Sequence, residues 1–116
     1  MAKSTIEREE YARYCFFCGS PNINGEHHFL FGRGIKNLSE EDGIKAHICD
    51  RCHVCGNKLE RIHDNPMAEK LSKMFGQAIY ERNVIASGEV KTIDAAREMF
   101  RNTCKWQPSF IRWQYG

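Results

Sequence analysis

A small α+β domain stapled by zinc is the fold class this sequence predicts, and three observations predict it. Two cysteine pairs, Cys15-x-x-Cys18 and Cys49-x-x-Cys52, carry the spacing of a tetrahedral thiolate site. Two short β-prone stretches lie between the pairs, and two stretches of helical periodicity follow them. At 116 residues the chain supports one modest core, and a unit of that size gains from a metal clip. One domain spanning 1–116 is expected, its core over about 15–83 and a helical and aromatic extension over 84–116.

The elements follow in order. Ser4 with Glu7 three residues on has the form of a capping box and predicts a short helix over 4–14. Asn24-Gly25 signals a tight turn, and 26–31, rich in aromatic and β-compatible residues, predicts a strand carrying His27 and His28 until Gly32 and Gly34 break it. Residues 35–43 are polar and read as a loop, whereas 44–48 predicts a second strand running into Cys49. Beyond Cys52, helix or irregular turn is expected to about residue 60.

Asn65-Pro66 then supplies an N-cap and a first-turn proline. Met67, Leu71, Met74, Phe75, Ala78 and Ile79 recur at helical spacing and predict a core-facing stripe. Ser87-Gly88 breaks that helix, and Thr92 caps a last one with Ile93, Ala96, Met99, Phe100 and Cys104 inward. Trp106, Phe110, Trp113 and Tyr115 interleave with Lys105 and Arg112 in the tail, where packing back onto the domain is the expected role and base stacking the alternative.

Composition bounds the function classes. Seventeen Lys+Arg against fifteen Asp+Glu leave a formal net charge of +2, so a polyanion site has to come from local clustering rather than bulk charge. The sequence offers no membrane-length apolar run, and its charged start lacks the apolar core of a signal peptide, which makes the cytosol the expected compartment. In a reducing cytosol six cysteines favour metal over disulfides. The choice of ligands is open at one point: Cys52 pairs at C-x-x-C spacing with Cys49 or with Cys55, and a symmetric ribbon would use the latter. The 49/52 pair is favoured, with Cys55 a free thiol.

The succession Cys15-x-x-Cys18, Glu26-His27-His28, Ile48-Cys49-x-x-Cys52-His53 resembles the HNH endonucleases of the ββα-metal class, in particular the small zinc-stapled members of phages and prophages. The stretch from His27 to Gly34, then Leu38 to Ile44, and a later Ile62-His63, is similar to the phage version, so the resemblance spans about 15–83. It implies a treble-clef-like ββα-metal domain with flanking helices and a divalent-metal-dependent hydrolysis of DNA, in a bacterial cytoplasm if phage or prophage encoded. It further implies His27 as metal ligand, His28 as general base, His53 as a second ligand and His63 as a third. Asn57, at i+4 from His53, competes with His63 if that stretch stays helical.

Imidazole ligands suit Mn²⁺, Ni²⁺ or Zn²⁺, and Mg²⁺ serves where phosphate and water complete its shell. Arg33, Lys36, Arg51, Lys58 and Arg61 cluster around these positions in sequence as phosphate contacts would. The chain departs from the family at the middle position: the asparagine that orients the base falls near Gly43 or Ile44, with Asn37 or His47 as candidate substitutes, although the expected role of His47 is that of a hydrogen-bonded strand residue near the zinc. A non-catalytic zinc module that binds DNA, or a zinc-organised protein-interaction adaptor, are the alternative readings.

Overall fold

Strand β1 (Ile23–His28) pairs antiparallel with β2 (Lys45–Cys49), setting His27 opposite Ala46 and His28 opposite Lys45. The computed structural model describes residues 3–32 and 35–103. Around the hairpin stand a 3-10 turn (Glu9–Tyr11), helix α1 (Lys36–Asp42), a π-helical turn (Arg51–Cys55), and helices α2 (Pro66–Ala86) and α3 (Ile93–Thr103). The result is a small α+β fold. Among the described residues no helix is long and apolar enough to cross a membrane.

Because neighbours on a strand face opposite ways, the pairing sorts the hairpin into two faces. His27, Ala46 and Ile48 turn inward and are buried, while Glu26, His28, Lys45 and His47 form a charged face. Asn24-Gly25 is a bulge inside β1 rather than the expected turn: Ile23 pairs with Cys49 and Glu26 with His47, leaving one extra residue on β1, with Gly25 at φ 106°. The strand accordingly starts and ends three residues before the expected 26–31. After His28 the chain leaves the ladder because Ser39 takes over, its hydroxyl accepting from Leu30 N at 2.9 Å and donating to Leu30 O at 2.8 Å.

Two expected elements are corrected. Residues 35–43 hold helix α1, not a loop: Ile35 and Ser39 are buried, Leu38 packs on the core, and Gly43 ends the helix at φ 68°. Only two apolar side chains mark the inner face, too few for a visible period. At the other end, Ser4 accepts from Glu7 N at 3.2 Å as a cap does, yet the Glu7 carboxylate reaches across to His47, accepting from its backbone N at 3.1 Å and from Nδ1 at 2.6 Å. The N-terminal segment is thereby drawn along β2 and makes only the 3-10 turn.

The main core gathers Phe29, Leu30, Ile35, Ile44, Ala46, Tyr80 and Phe100, and a second cluster joins Cys15, Ile48, Cys49 and Ile62. Thr92 caps α3, accepting from Ala95 N at 3.1 Å, and Ala96 and Phe100 face inward as expected; Ile93, expected inward, is exposed. Cys104 and the aromatic tail lie outside the described residues.

Helix α2 has its expected Asn65 cap, which accepts from Ala68 N at 3.3 Å. Its buried face, however, is not the expected stripe. Of the stripe, Ile79 packs on the core as expected and Met74 is half-buried, but Met67, Leu71, Phe75 and Ala78 are exposed, and the buried residues are Ser72, Gly76, Gln77, Tyr80 and Glu81. The inward polar groups are partly matched: Gln77 donates to Glu81 at 3.0 Å while its Oε1 has no hydrogen-bond partner, and Glu81 in turn meets Arg97 of α3 at 3.4 Å. Gly76 lets the helix backbone close onto β1's exit, since a Cβ there would lie 2.8 Å from Leu30 Cγ and 3.2 Å from the Phe29 carbonyl carbon. Gly76→Ala is therefore expected to destabilise by about 1–3 kcal/mol through overpacking, outweighing the roughly 1 kcal/mol alanine gains in a helix. Urea denaturation checks this as a lower midpoint at unchanged slope.

Candidate metal centre

Two groups of metal-ligating side chains are built around the end of the hairpin. Cys15, Cys18, Cys49 and Cys52 bring their sulfurs within 4.8 Å of one another, and Cys18 Sγ lies 3.6 Å from Cys49 Sγ. That is too long for a disulfide and close to the roughly 3.8 Å edge of a zinc tetrahedron with Zn–S near 2.3 Å. The first pair forms a knuckle: Phe17 N and Cys18 N point at Cys15 Sγ at 3.4 and 3.5 Å, and Gly19 turns the chain at φ 79°. The second pair is set by β2, which ends at Cys49, and by the π-helical turn, which carries Cys52.

The thiols influence one another. Cys18 is lowered to about 6, first by the backbone N–H of Ser20, while burial and its thiol neighbours push Cys52 up. Four thiols this close cannot all ionise without a cation among them, so the group fits zinc. Cys55 is exposed and stands outside the four, which resolves the open choice in favour of the 49/52 pair.

The second group is His27, His53 and His63, one ring nitrogen of each lying within 4.8 Å of the others. His27 comes from β1, His53 from the π-helical turn, and His63 from the segment that returns beside that turn. Two backbone bonds fix this return, Ile62 N to Cys52 O at 2.8 Å and His63 N to His53 O at 3.1 Å. Cys52 of the four-cysteine group and the imidazole of His53 are thus anchored by the same short pairing.

The hydrogen bonds assign the tautomers. Ser72 has a single hydroxyl hydrogen and donates it to Phe29 O at 3.0 Å, so it accepts from His27 Nε2–H at 2.8 Å. His27 Nδ1 is then a bare lone pair, completely buried and without a hydrogen-bond partner. Burial first, and the other histidines after it, lower this imidazole to about 3, so it is neutral. His63 Nδ1 faces Glu69 Oε2 at 3.3 Å, which turns its Nε2 lone pair towards His53 Nε2, 3.1 Å away. Carboxylate behind imidazole is the usual arrangement around a ligating histidine. A buried orphan nitrogen and two imidazoles facing each other fit a divalent cation.

The remaining candidates divide. Asn57 does not lie on a helix with His53; its Oδ1 accepts from Leu59 N at 2.8 Å, closing a local turn. His28 stands on the charged face of the hairpin, away from His27, with Nε2 2.8 Å from Glu40 Oε1. His47 is taken by Glu7 and Asn37 is exposed, so neither reaches His28 as the orienting group.

Arg61 is spent internally on His63 O, Gly56 O and Asp64, and so is corrected from phosphate contact to loop brace. Arg51 is exposed and lies near the Cys18 thiol, which raises its guanidinium. Lys36 and Lys58 are exposed, with the Lys36 charge felt at His53; Arg33 lies outside the described residues. Ser72 and Glu69 were missed in the sequence because they sit in a helix whose apolar stripe drew the core assignment elsewhere. The available signal was Ser72 and Gly76 at i, i+4.

No family model, curated protein or solved structure matches the chain. Ser72→Ala is expected to weaken divalent-metal binding at the histidine group about 10–100-fold by releasing the His27 ring. Isothermal titration with Mn²⁺ on the zinc-loaded protein measures it, and an unchanged affinity would remove Ser72 from the account.

Proposed function

We propose that this protein is a metal-dependent nuclease of HNH type, hydrolysing DNA phosphodiester bonds at the His27, His53 and His63 group. The observation that carries the reading is the buried, unpartnered Nδ1 of His27 beside two imidazoles whose Nε2 atoms face each other at 3.1 Å. A buried histidine usually has both ring nitrogens satisfied. The order of cysteine and histidine motifs along the chain supports the same reading, since it resembles that family from Cys15 to His63.

Each residue then has a task. His27, His53 and His63 hold the cation, with Ser72 and Glu69 fixing two of the rings. A divalent cation held there supplies positive charge to the scissile phosphate and the leaving oxygen. His28 takes the proton of the attacking water as the new P–O bond forms; the old P–O bond breaks, and the leaving oxygen is protonated from solvent. Lys36 and Lys58 offer exposed positive charge for the strand on either side. The four cysteines contribute no chemistry and hold the hairpin to the turn that carries His53.

Supercoiled plasmid incubated with the zinc-loaded protein and Mn²⁺ or Mg²⁺, beside His28→Ala, tests this. Nicking or linearisation by the wild type and its loss in the variant are expected. Retarded mobility without cleavage under every metal would instead indicate a non-catalytic DNA-binding module. Equal nicking by both proteins would remove His28 as base.

A further inference from the structure

We propose that Glu40 is the positioning residue for His28, a carboxylate on α1 doing the orienting work for which the chain has no asparagine at the start of β2. The inference rests on the nuclease reading and specifies how its base is held. Glu40 Oε1 lies 2.8 Å from His28 Nε2, and its other oxygen lies 2.6 Å from Lys45 Nζ. Lys45 is the residue directly opposite His28 in the β ladder, its side chain 3% exposed, so the cation that grips Glu40 is itself fixed by the hairpin. The carboxylate is therefore held between two groups of the same strand pair.

The sign of the hydrogen bond follows from charge. Lys45 first, and His28 second, hold Glu40 well below the usual carboxylate range, to about 2. An ionised carboxylate only accepts, so His28 donates from Nε2–H and its free lone pair resides on Nδ1. A base must present that lone pair in a fixed direction to take a proton from water; a carboxylate behind the opposite nitrogen sets both tautomer and ring orientation. The other groups weighed for this role are excluded by their placement: His47 is bound by Glu7, and Gly43 and Ile44 offer no polar side chain.

Glu40→Gln separates this from simple neutralisation of Lys45. Lys45 has only donors, so it claims the amide oxygen and leaves the NH₂ group towards His28. The ring must then accept at Nε2 and carry its proton on Nδ1, the wrong tautomer for the base. Two readouts follow. Long-range ¹⁵N–¹H correlation spectra of the imidazole should show Nε2–H in the wild type and Nδ1–H in Glu40→Gln. Plasmid cleavage should lose kcat on the order of 10²-fold with KM unchanged.

Adding Lys45→Met frees the amide to rotate, and it should restore the Nε2–H tautomer together with part of kcat. A wild type that cleaves through His28, beside a Glu40→Gln protein of unchanged tautomer and unchanged kcat, overturns the role of Glu40 alone. A wild type with no cleavage overturns the nuclease reading and takes this role with it. Failure of Lys45→Met to restore the tautomer also counts against the proposal.

Discussion

Removing zinc from the four-cysteine site with a high-affinity chelator is expected to unfold the domain, and Cys49→Ala is expected to do the same. The reason lies in what surrounds the site. The second core cluster contains Cys15 and Cys49 themselves, with Ile48 and Ile62 as the only other buried members. A two-stranded sheet is marginal by itself, and the outer edge of β2 is covered by the knuckle through Phe16 N to His47 O at 2.9 Å. Without the cation both the cluster and that edge lose their anchor.

A structural zinc contributes on the order of 10 kcal/mol, comparable to the entire net stability of such a domain. Far-UV circular dichroism with metal stoichiometry measures the effect: loss of the folded signal in step with loss of one zinc per chain. Cys55→Ala should leave both unchanged, because that thiol stands outside the four. A folded signal that survives complete zinc removal, or a Cys55→Ala protein that loses zinc as Cys49→Ala does, would contradict this account.

The second large effect belongs to the histidines, and it separates two kinds of loss. His27→Ala is expected to cut divalent-metal affinity at the second site by more than about 100-fold, beyond the range for removing an orienting partner such as Ser72, and to abolish plasmid cleavage. His28→Ala is expected to abolish cleavage while leaving that affinity unchanged, since its ring faces Glu40 and not the other imidazoles. In neither variant should the zinc content of the cysteine site change. Calorimetric titration with Mn²⁺, paired with cleavage assays, reads both quantities. His27→Gln guards against mere cavity formation, because it fills most of the space without restoring an imidazole.

The sequence was legible where ligand spacing alone decides geometry. Both cysteine pairs could be marked because a tetrahedral site dictates residue type at short separations, whereas His53 and His63 were marked only by the resemblance in motif order, spacing alone pointing to Asn57. The α2 cap was legible for the same local reason. The rest depended on partners distant in sequence. Glu7 was assigned to a capping box, but His47, forty residues away, offers it two donors.

The α2 stripe shows the same limit on a larger scale. Periodicity weighs apolar residues only, whereas the inner face of α2 is occupied by Ser72 and Glu81, matched to His27 of β1 and Arg97 of α3, and by Gln77, which donates to Glu81 within the helix. Arg61 reads in sequence as a phosphate contact because of its basic neighbours, and in the fold a loop takes it. Glu40 carried no signal at all, since its role exists only once α1 and the hairpin meet.

The most direct test is anomalous X-ray diffraction from crystals of the zinc-loaded protein soaked in Mn²⁺. A manganese peak separate from the zinc among the cysteines is expected, contacted by His27 Nδ1 and by nitrogens of His53 and His63 at about 2.0–2.2 Å. A protein that takes up zinc at the cysteines but shows no second peak, or whose manganese binds away from His27 Nδ1, would contradict it.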